Sequence, residues 1–342
     1  MQNNNRNTGL FLLLFLVVLL LFFINISMGS VAIPLKEVFK SLIGQNTNNE
    51  TWHYIIINYR LPKAITAILV GMGLSISGLL MQTLFRNPLA GPYVLGLSSG
   101  SSLGVAFVVL GTGILPAVLT SLLLSPFGII IASCLGSFLV LLAVLFVSQR
   151  LRDTMAILIV GLMFGSFSSA IVGVFTYFSS AEALQKFTFW SLGNLGNLSW
   201  TSILILFISV TVGLLMSLFC IKSLDALLLG ENYAKSLGLN YKKARVIIIL
   251  ATSILAGSIT AFAGPIAFVG LAVPHIAKLV FQTSKHSVLF WSTLLFGALI
   301  MLVCDSVTHF PESTITLPIN AVTSIIGAPV VIWLLVRKRS FQ

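Results

Sequence analysis

Apolar residues in this chain are grouped into long runs, each bounded by charged residues, glycine or proline. A run of about 18 or more such residues is long enough to cross the hydrocarbon core of a bilayer as a helix. The pattern predicts ten membrane-spanning helices, near 10–28, 62–84, 93–111, 127–148, 155–178, 201–221, 246–262, 268–282, 288–308 and 319–336. The eighth run is short and begins beside Gly264 and Pro265, so its limits are the least sharply defined.

The composition agrees with this pattern. Hydrophobic residues make up 57% of the chain, charged residues make up 8%, and the mean hydropathy is +1.07. In soluble domains about a quarter of all residues are charged. The composition therefore excludes an ordinary soluble protein, a disordered chain and a coiled coil. Ten spans fill the 342 residues, and the sequence therefore predicts an all-α, polytopic protein with a single transmembrane domain, 1–342.

The first apolar run resembles a secretory signal in position but not in its flank. It extends from Leu10 to Ile24 and is followed by Asn25, Ile26, Ser27 and Met28. A cleavable signal ends in two small residues separated by one other residue, and these four residues match that pattern poorly. We therefore expect a retained first helix.

The distribution of basic residues predicts the orientation in the membrane. Ten spans place both termini on one side. If that side is the cytoplasm, the Lys and Arg residues outside are, of 19 in the chain, only Lys36, Lys40, Arg60, Lys63 and Lys186. Basic residues concentrate in cytoplasmic loops, so both termini are expected in the cytoplasm. The net charge of +11 then reflects topology rather than nucleic-acid binding.

Two connections between the predicted spans are too long to be tight turns. The external loop, 29–59, is polar and contains one short amphipathic stretch. The internal segment, 223–244, has apolar residues at near-helical spacing, interrupted by Gly230 and Gly238, which predicts two short helices. Such a pair either rests on lipid headgroups or docks a partner, and the carboxylates of Asp225 and Glu231 disfavour the headgroups.

The predicted spans carry almost no charge in their interior. Asp305 and His275 lie near span ends. Carriers driven by ions or protons usually hold a buried acid or histidine for the driving ion, so the pattern favours an energy source outside the membrane. An ion- or proton-coupled secondary transporter remains the alternative.

The chain also contains a weak internal echo. GPYVLGL at 91–97 and GPIAFVGL at 264–271 follow spans that are an odd number apart. Units so related have opposite topology, which is the pattern of an inverted repeat.

Four stretches of the sequence carry a family resemblance. They are RLPKAITAILVGMGLSISGLLMQTLFRNPLAGPYVLGLSSGSSLG (60–104), LLLGENYAKSLGL (227–239), GPIAFVGLAVPHIAKL (264–279) and LPINAVTSIIGAPVVIWLL (317–335). In this order and spacing they resemble the FecCD-type permeases of bacterial ABC importers for iron-siderophores, haem and cobalamin. The chain is similar to the vitamin B12 importer permease.

The resemblance implies a type II importer fold with an inverted repeat and ten transmembrane helices. It implies pairing with a second, identical permease subunit in the bacterial cytoplasmic (inner) membrane, two cytoplasmic ATPase subunits and an external substrate-binding protein. Such a subunit is not an enzyme. It binds no cofactor, because ATP and Mg²⁺ are held by the ATPase, and the cargo passes by alternating access.

The same resemblance assigns roles to individual residues. The 223–244 segment corresponds to the coupling helices that dock the ATPase, with Leu228, Gly230, Glu231, Ala234, Leu237 and Gly238 at its motif positions. Arg60, Lys63 and His309 stand where the family pairs with the binding protein. Ordinary snorkelling or a solvated loop charge is the alternative explanation for these three basic residues.

The cytoplasmic gate is assigned to Asn87, Pro88 and Leu89, facing Asp153 and Thr154. Ser98 and Ser99 follow as small polar residues of a cargo pathway. A plain turn at Asn87 and Pro88, and helix packing by the serines, are the structural alternatives. His275 lacks a second ligand one turn away, so we expect a packed residue rather than a metal or haem ligand.

Overall fold

The computed structural model describes residues 2–29, 31, 33–45, 49–111, 122–151, 154–196, 198–309 and 316–339. Within these residues the chain is built from helices, and an isolated antiparallel bridge joins His309 to Thr316. The helices in chain order are α1 (Gln2–Ser27), α2 (Leu35–Leu42), α3 (Glu50–Ile55), α4 (Leu61–Leu84), α5 (Leu97–Val109), α6 (Pro126–Arg150), α7 (Thr154–Phe178), α8 (Ala181–Ser191), α9 (Trp200–Phe219), α10 (Ile221–Leu228), α11 (Glu231–Ser236), α12 (Tyr241–Ala263), α13 (Val269–Phe281), α14 (His286–Val307) and α15 (Ile319–Arg339).

The ten predicted spans coincide with α1, α4, α5, α6, α7, α9, α12, α13, α14 and α15, which confirms the all-α fold. Seven of the described helices, α4 counted together with the preceding α3, are long and apolar enough to cross a membrane. Shorter apolar helices are α5, α13 and the Ile319–Trp333 part of α15.

The helix of the second span is continuous with helix upstream of it. Helix α4 begins at Leu61, close to the predicted residue 62, but α3 and a π-helical turn at Ile56–Arg60 lead directly into it, so the helical stretch runs from Glu50 to Leu84. Leu61 N–H donates to the carbonyl of Ile56, five residues earlier. The wider turn carries the helix past Pro62, which has no N–H of its own to donate. The 29–59 loop consequently contains two short helices, α2 and α3, rather than one.

The two short apolar helices share a local structure. A 3₁₀ turn, Pro92–Leu95, and the left-handed residue Gly96 precede α5. The left-handed residue Phe268, with φ of 65°, precedes α13. Both helices have 13 residues. At 1.5 Å per residue each spans about 20 Å, which is less than the thickness of the hydrocarbon core. The segments 91–97 and 264–271 therefore share a left-handed residue before a 13-residue helix, whereas the 3₁₀ turn precedes α5 and residues 264–267 have no regular structure.

The chain divides into two compact units, each built from separate stretches of sequence. The first unit is Met1–Ile76, Asn194–Ile208 and Ile266–Gln342. The second unit is Ser77–Gly193 and Ser209–Pro265. Helices α4 and α9 each contribute one part to the first unit and the other part to the second.

In the first unit, α4 and α14 approach at Gly71 and Gly297. A Cβ built on Gly71 would lie 2.2 Å from the carbonyl oxygen of Gly297, and one built on Gly297 would lie 2.3 Å from that of Gly71. Ser75 Oγ also donates to the carbonyl of Thr293 at 3.1 Å. Helix association in lipid is commonly stabilised in two ways. Small residues let the backbones approach closely, and hydroxyl groups form hydrogen bonds between helices.

The second unit uses the same kind of contact between α5 and α6. A Cβ on Gly100 would lie 2.6 Å from the carbonyl of Gly136, and a Cβ on Gly104 would lie 2.0 Å from that of Ala132. Nearby, the hydroxyl of Ser137 donates to the carbonyl of Leu97 at 3.0 Å. Backbone contact between helices is therefore part of the internal packing of each unit.

Substitution of Gly297 by alanine is expected to destabilise the protein, because the added methyl group would strike the backbone of α4. Overpacking of this kind costs about 1–3 kcal/mol, measurable as a lower midpoint of thermal unfolding in detergent. Gly173→Ala is the matched control in α7, since a Cβ there meets no atom within 4 Å. It should leave the midpoint unchanged or raise it, because alanine favours the helix. Equal midpoints for the two variants would contradict the assigned packing.

Candidate functional site

A group of polar side chains lies inside the first unit between α1, α4 and α14. We call Asn25, Lys63, Asp305, Ser306 and His309 the Lys63 cluster. The ammonium of Lys63 lies 2.9 Å from Oδ1 of Asp305, and the two side chains are 18% and 2% exposed. Burial of an ion pair is costly unless further hydrogen bonds satisfy both groups. Asn25 and His309 supply those bonds.

Asn25 of α1 completes the coordination of the carboxylate. Its Nδ2 donates to Oδ2 of Asp305 at 3.0 Å and to the hydroxyl of Ser306 at 3.0 Å. Lys63 also donates to Nε2 of His309. Burial and next the charge of Lys63 lower the pKa of His309, against the opposite effect of Asp305. The imidazole is therefore mainly neutral near pH 7, and its unprotonated nitrogen accepts a hydrogen bond from the ammonium of Lys63.

Arg60 binds the end of the first helix. Its Nη1 donates to the carbonyls of Ile26 at 2.8 Å and Ser27 at 2.7 Å, and its Nη2 donates to the carbonyl of Val31. The last carbonyls of a helix have no partner within the helix, and a cation there also interacts favourably with the helix dipole. Arg60 thus joins the π-helical turn to the end of α1.

The structure brings Arg60, Lys63 and His309 to the same unit, but each is bound to its own chain. Sequence analysis missed the acid that holds Lys63. The available signal was Asp305 itself, an acidic residue near the end of an apolar run, opposite in charge to the Lys that begins another. Their role in docking a binding protein stays a prediction.

The Asn87–Ala90 stretch, which we call the gate turn, forms a compact turn after α4. The side-chain oxygen of Asn87 accepts the N–H of Leu89 at 2.9 Å, and its carbonyl accepts the N–H of Ala90 at 3.1 Å. Asparagine is favoured where a side chain closes a turn in this way. Leu89 is 46% exposed. Asp153 lies outside the described residues, Thr154 begins α7 with its side chain outside the description, and the gate role stays a prediction.

The 223–244 segment, which we call the coupling segment, contains two short helices as the glycine positions predict. Helix α10 ends at Leu228, and Gly230, with φ of 103°, lies between it and α11. A side chain is strongly disfavoured at that backbone angle, so glycine is required. Leu224, Leu227 and Ala234 are buried, whereas Leu229, Tyr233 and Leu237 are each more than half exposed.

A groove in the second unit has a volume of about 620 Å³. It is lined by Tyr93, Gly96, Ser99, Gly161, Leu162, Gly165, Ser166, Ser169 and Ala170. The predicted pathway residue Ser99 lies in it, while Ser98 is half-buried and is not part of the lining. The sequence signal for the rest is the run of small residues in α7. A Cβ on Gly165 would contact the hydroxyl of Ser99 at 3.4 Å.

The described residues contain no group of three His, Cys, Asp or Glu side chains that could hold a metal ion. His275 lies in α13 directly after Pro274 and is half-buried.

The long and short apolar helices, together with a separate pair of amphipathic helices, define a polytopic membrane protein. The model of the FecCD transport family matches residues 16–337. The chain belongs to the FecCD transport family, and it is a permease subunit of the ABC transporter type.

Individual relatives agree with this assignment. The chain is 33% identical to the hemin transport system permease protein of Yersinia pestis, over 96% of this chain and 95% of that one. It is 35% identical to the vitamin B12 import system permease protein of Klebsiella pneumoniae, over 82% of each chain. A solved structure described as an inward-facing ABC transporter of the metal-chelate type matches with a TM-score of 0.83 and 27% identity, over 96% of this chain and 99% of that one.

Removal of one member of the buried ion pair is expected to destabilise the protein strongly. Lys63→Met leaves the carboxylate of Asp305 buried without its cation, which costs about 3–5 kcal/mol in the free energy of unfolding. Replacement of both residues, as Lys63→Met with Asp305→Leu, should recover most of the loss. The measurement is chemical unfolding of the detergent-solubilised protein.

The matched control for this experiment is Lys186→Met. Lys186 pairs with Glu182 at 2.8 Å on the exposed surface of α8. Exposed pairs contribute little because water screens them, so no measurable change is expected. A Lys63→Met protein as stable as Lys186→Met, or a double variant no better than the single one, would contradict the buried pair.

Proposed function

We propose that this chain is the membrane-spanning subunit of a binding-protein-dependent importer that takes up an iron-siderophore, haem or cobalamin-type cargo by alternating access. ATP is hydrolysed by a separate cytoplasmic subunit, and this chain itself is not an enzyme. The observation that carries the proposal is the coupling segment, a pair of short helices with exposed apolar side chains, of which Leu237 stands at a motif position of the family.

The exposed side chains of the coupling segment support docking of a protein partner. Leu229, Tyr233 and Leu237 are 60%, 54% and 61% exposed. Glu231 and Lys235, 2.6 Å apart, add a charged pair on the same short helix. Apolar residues rimmed by polar ones are typical of a protein interface. Closure of an ATPase dimer that holds this segment would move it and shift the permease between inward and outward states.

A second permease subunit and an external binding protein complete the proposed assembly, with both termini of this chain in the cytoplasm. Arg60, Lys63 and His309 are the proposed docking residues for the binding protein. Since Lys63 is already paired with Asp305, a carboxylate of the binding protein must share its ammonium with that acid. Lys63 and His309 therefore contribute less to docking than free basic residues would.

An iron chelate or haem is the cargo that we propose in the first place. It is supported by the relative named for hemin transport, which matches along nearly the whole chain, and by the structural match to a metal-chelate transporter. The relative named for vitamin B12 is equally similar in sequence, so cobalamin belongs in the same test. These three cargoes are bulky and carry their own metal ligands, so the permease has no need to ligate the metal.

The alternative of an ion-coupled carrier has less support in the structure. Asp305 is the buried acid of α14, and its carboxylate is held by Lys63 and Asn25. A driving ion or proton would have to displace an ammonium at 2.9 Å from this carboxylate. Coupling sites in carriers leave their acid available to the ion.

Reconstitution with a cognate ATPase in liposomes tests the proposed function. The test panel contains haem, a ferric siderophore and cobalamin. We expect uptake of one of them, and only when both ATP, supplied on the ATPase side of the membrane, and the binding protein are present. Uptake that ignores ATP and follows an imposed proton or sodium gradient would overturn the proposal. Flux of no panel member under any energy source would overturn the cargo class.

Charge reversal in the coupling segment tests the ATPase contact. Glu231→Lys should weaken assembly with the ATPase, measured as co-purification, by about tenfold. The new ammonium would meet the group of the ATPase that accommodates the carboxylate of Glu231, and an unfavourable charge contact within an interface costs more than about 1 kcal/mol. The matched control is Glu182→Lys in α8, since Glu182 and Lys186 form the same pair, four residues apart, on another short helix. Equal co-purification of the two variants would exclude Glu231 from the contact.

A further inference from the structure

The end of α4 has a backbone conformation that is unusual for its residue. Arg86 has φ of 47°, in the left-handed region. Its N–H donates to the carbonyl of Thr83 at 3.2 Å, and the N–H of Asn87 donates to that of Gln82 at 3.1 Å. This pair of bonds is the Schellman ending of a helix, whose left-handed position is normally occupied by glycine. A residue with a Cβ is disfavoured there, so the side chain of Arg86 needs a separate explanation.

The side chain of Arg86 extends to the coupling segment. Its Nη2 forms a long hydrogen bond of 3.5 Å with the carbonyl of Leu228, the last residue of α10. A cation at the carboxyl end of a helix is stabilised by unpaired carbonyls and by the helix dipole. A Cβ built on Gly230 would lie 3.4 Å from Nη1 of Arg86, so the guanidinium lies against the junction of α10 and α11.

An open groove of about 710 Å³ lies beside the contact between Arg86 and the junction of α10 and α11. Arg86, Gly230, Glu231 and Tyr233 are among its lining residues. The guanidinium thus lies at the edge of a space that is bordered mainly by α11. On the other side of Arg86, the next residue in the chain is Asn87, which closes the gate turn with its side chain.

We propose that Arg86 is a positioning residue that links the coupling segment mechanically to the gate turn. The inference rests on the proposed function and deepens it. The backbone of Arg86 is fixed by the helix ending, and its guanidinium holds the junction of α10 and α11. Movement of that junction by the ATPase is therefore passed to the turn that begins one residue later. Without the guanidinium, the junction at Gly230 would move on its own and the turn would lag behind.

Arg86→Gly distinguishes this role from that of an ordinary helix ending. Glycine is the favoured residue at a left-handed position, so the midpoint of thermal unfolding should stay the same or rise. Cargo uptake per ATP hydrolysed should fall about fivefold to tenfold, at the lower end of the range typical for coupling between two sites. Arg86→Lys, which keeps the cation but loses the planar fork, should restore part of the uptake.

The control is Lys285→Ala, which removes a positive charge from an exposed position directly before α14. It should retain the uptake per ATP of the unaltered protein. Full uptake per ATP in Arg86→Gly, or no gain on going from glycine to lysine, would overturn the link.

Amide hydrogen exchange provides a readout that does not depend on transport. In Arg86→Gly, the amides of Leu229–Leu239 should exchange faster than in the unaltered protein, and Arg86→Lys should slow them again. The amides of α12 serve as the internal reference. Unchanged exchange in Leu229–Leu239 would overturn the proposed link even if uptake is lost. An unaltered protein without ATP-driven uptake would instead overturn the proposed function, and the exchange data would still decide the role of Arg86.

Discussion

Helices in lipid gain little from burying apolar side chains against one another, because the lipid tails are equally apolar. The packing of this chain therefore depends on close approach of backbones and on hydrogen bonds between helices. Gly71 and Gly297 provide the close approach in the first unit, and Gly100 and Gly136 provide it in the second. The buried ion pair of Lys63 and Asp305 adds a polar connection between the same helices that the first glycine pair joins, α4 and α14. Backbone contact and a satisfied charge pair thus act on one helix crossing.

Much of the fold could be predicted from the sequence, because the length of an apolar run is a local property. All ten spans were located in this way. Their ends were less predictable, since Pro62 suggests a helix start and only the wider turn before it shows that the helix continues. The short eighth span was predicted at 268–282 and α13 runs from Val269 to Phe281, but the left-handed backbone of Phe268 directly before it left no signal in the pattern.

The candidate site could be predicted only in part. Motif positions identify the coupling segment, the gate turn and the basic residues, because these lie within single stretches of sequence. Pairing between distant stretches leaves at most a faint trace, such as opposite charges near the ends of two apolar runs. The contact of Lys63 with Asp305 and that of Arg86 with Leu228 exist only once the helices have packed. Arg60 illustrates the difference, since its charge suggests a free surface group and its guanidinium binds the end of α1.

The crossing of Gly71 and Gly297 also limits how this sequence can change over evolutionary time. Every other amino acid carries a Cβ, which would lie against a carbonyl of the opposing helix. Neither position can therefore drift alone while the helices keep their distance. Exposed apolar positions, such as Phe219 and Ile325, which are 84% and 71% exposed, face no opposing backbone of this chain, so other apolar side chains fit there. Sequence divergence among permeases of this family is expected to accumulate at such exposed positions, because no fixed contact within the chain restricts the shape of the side chain there.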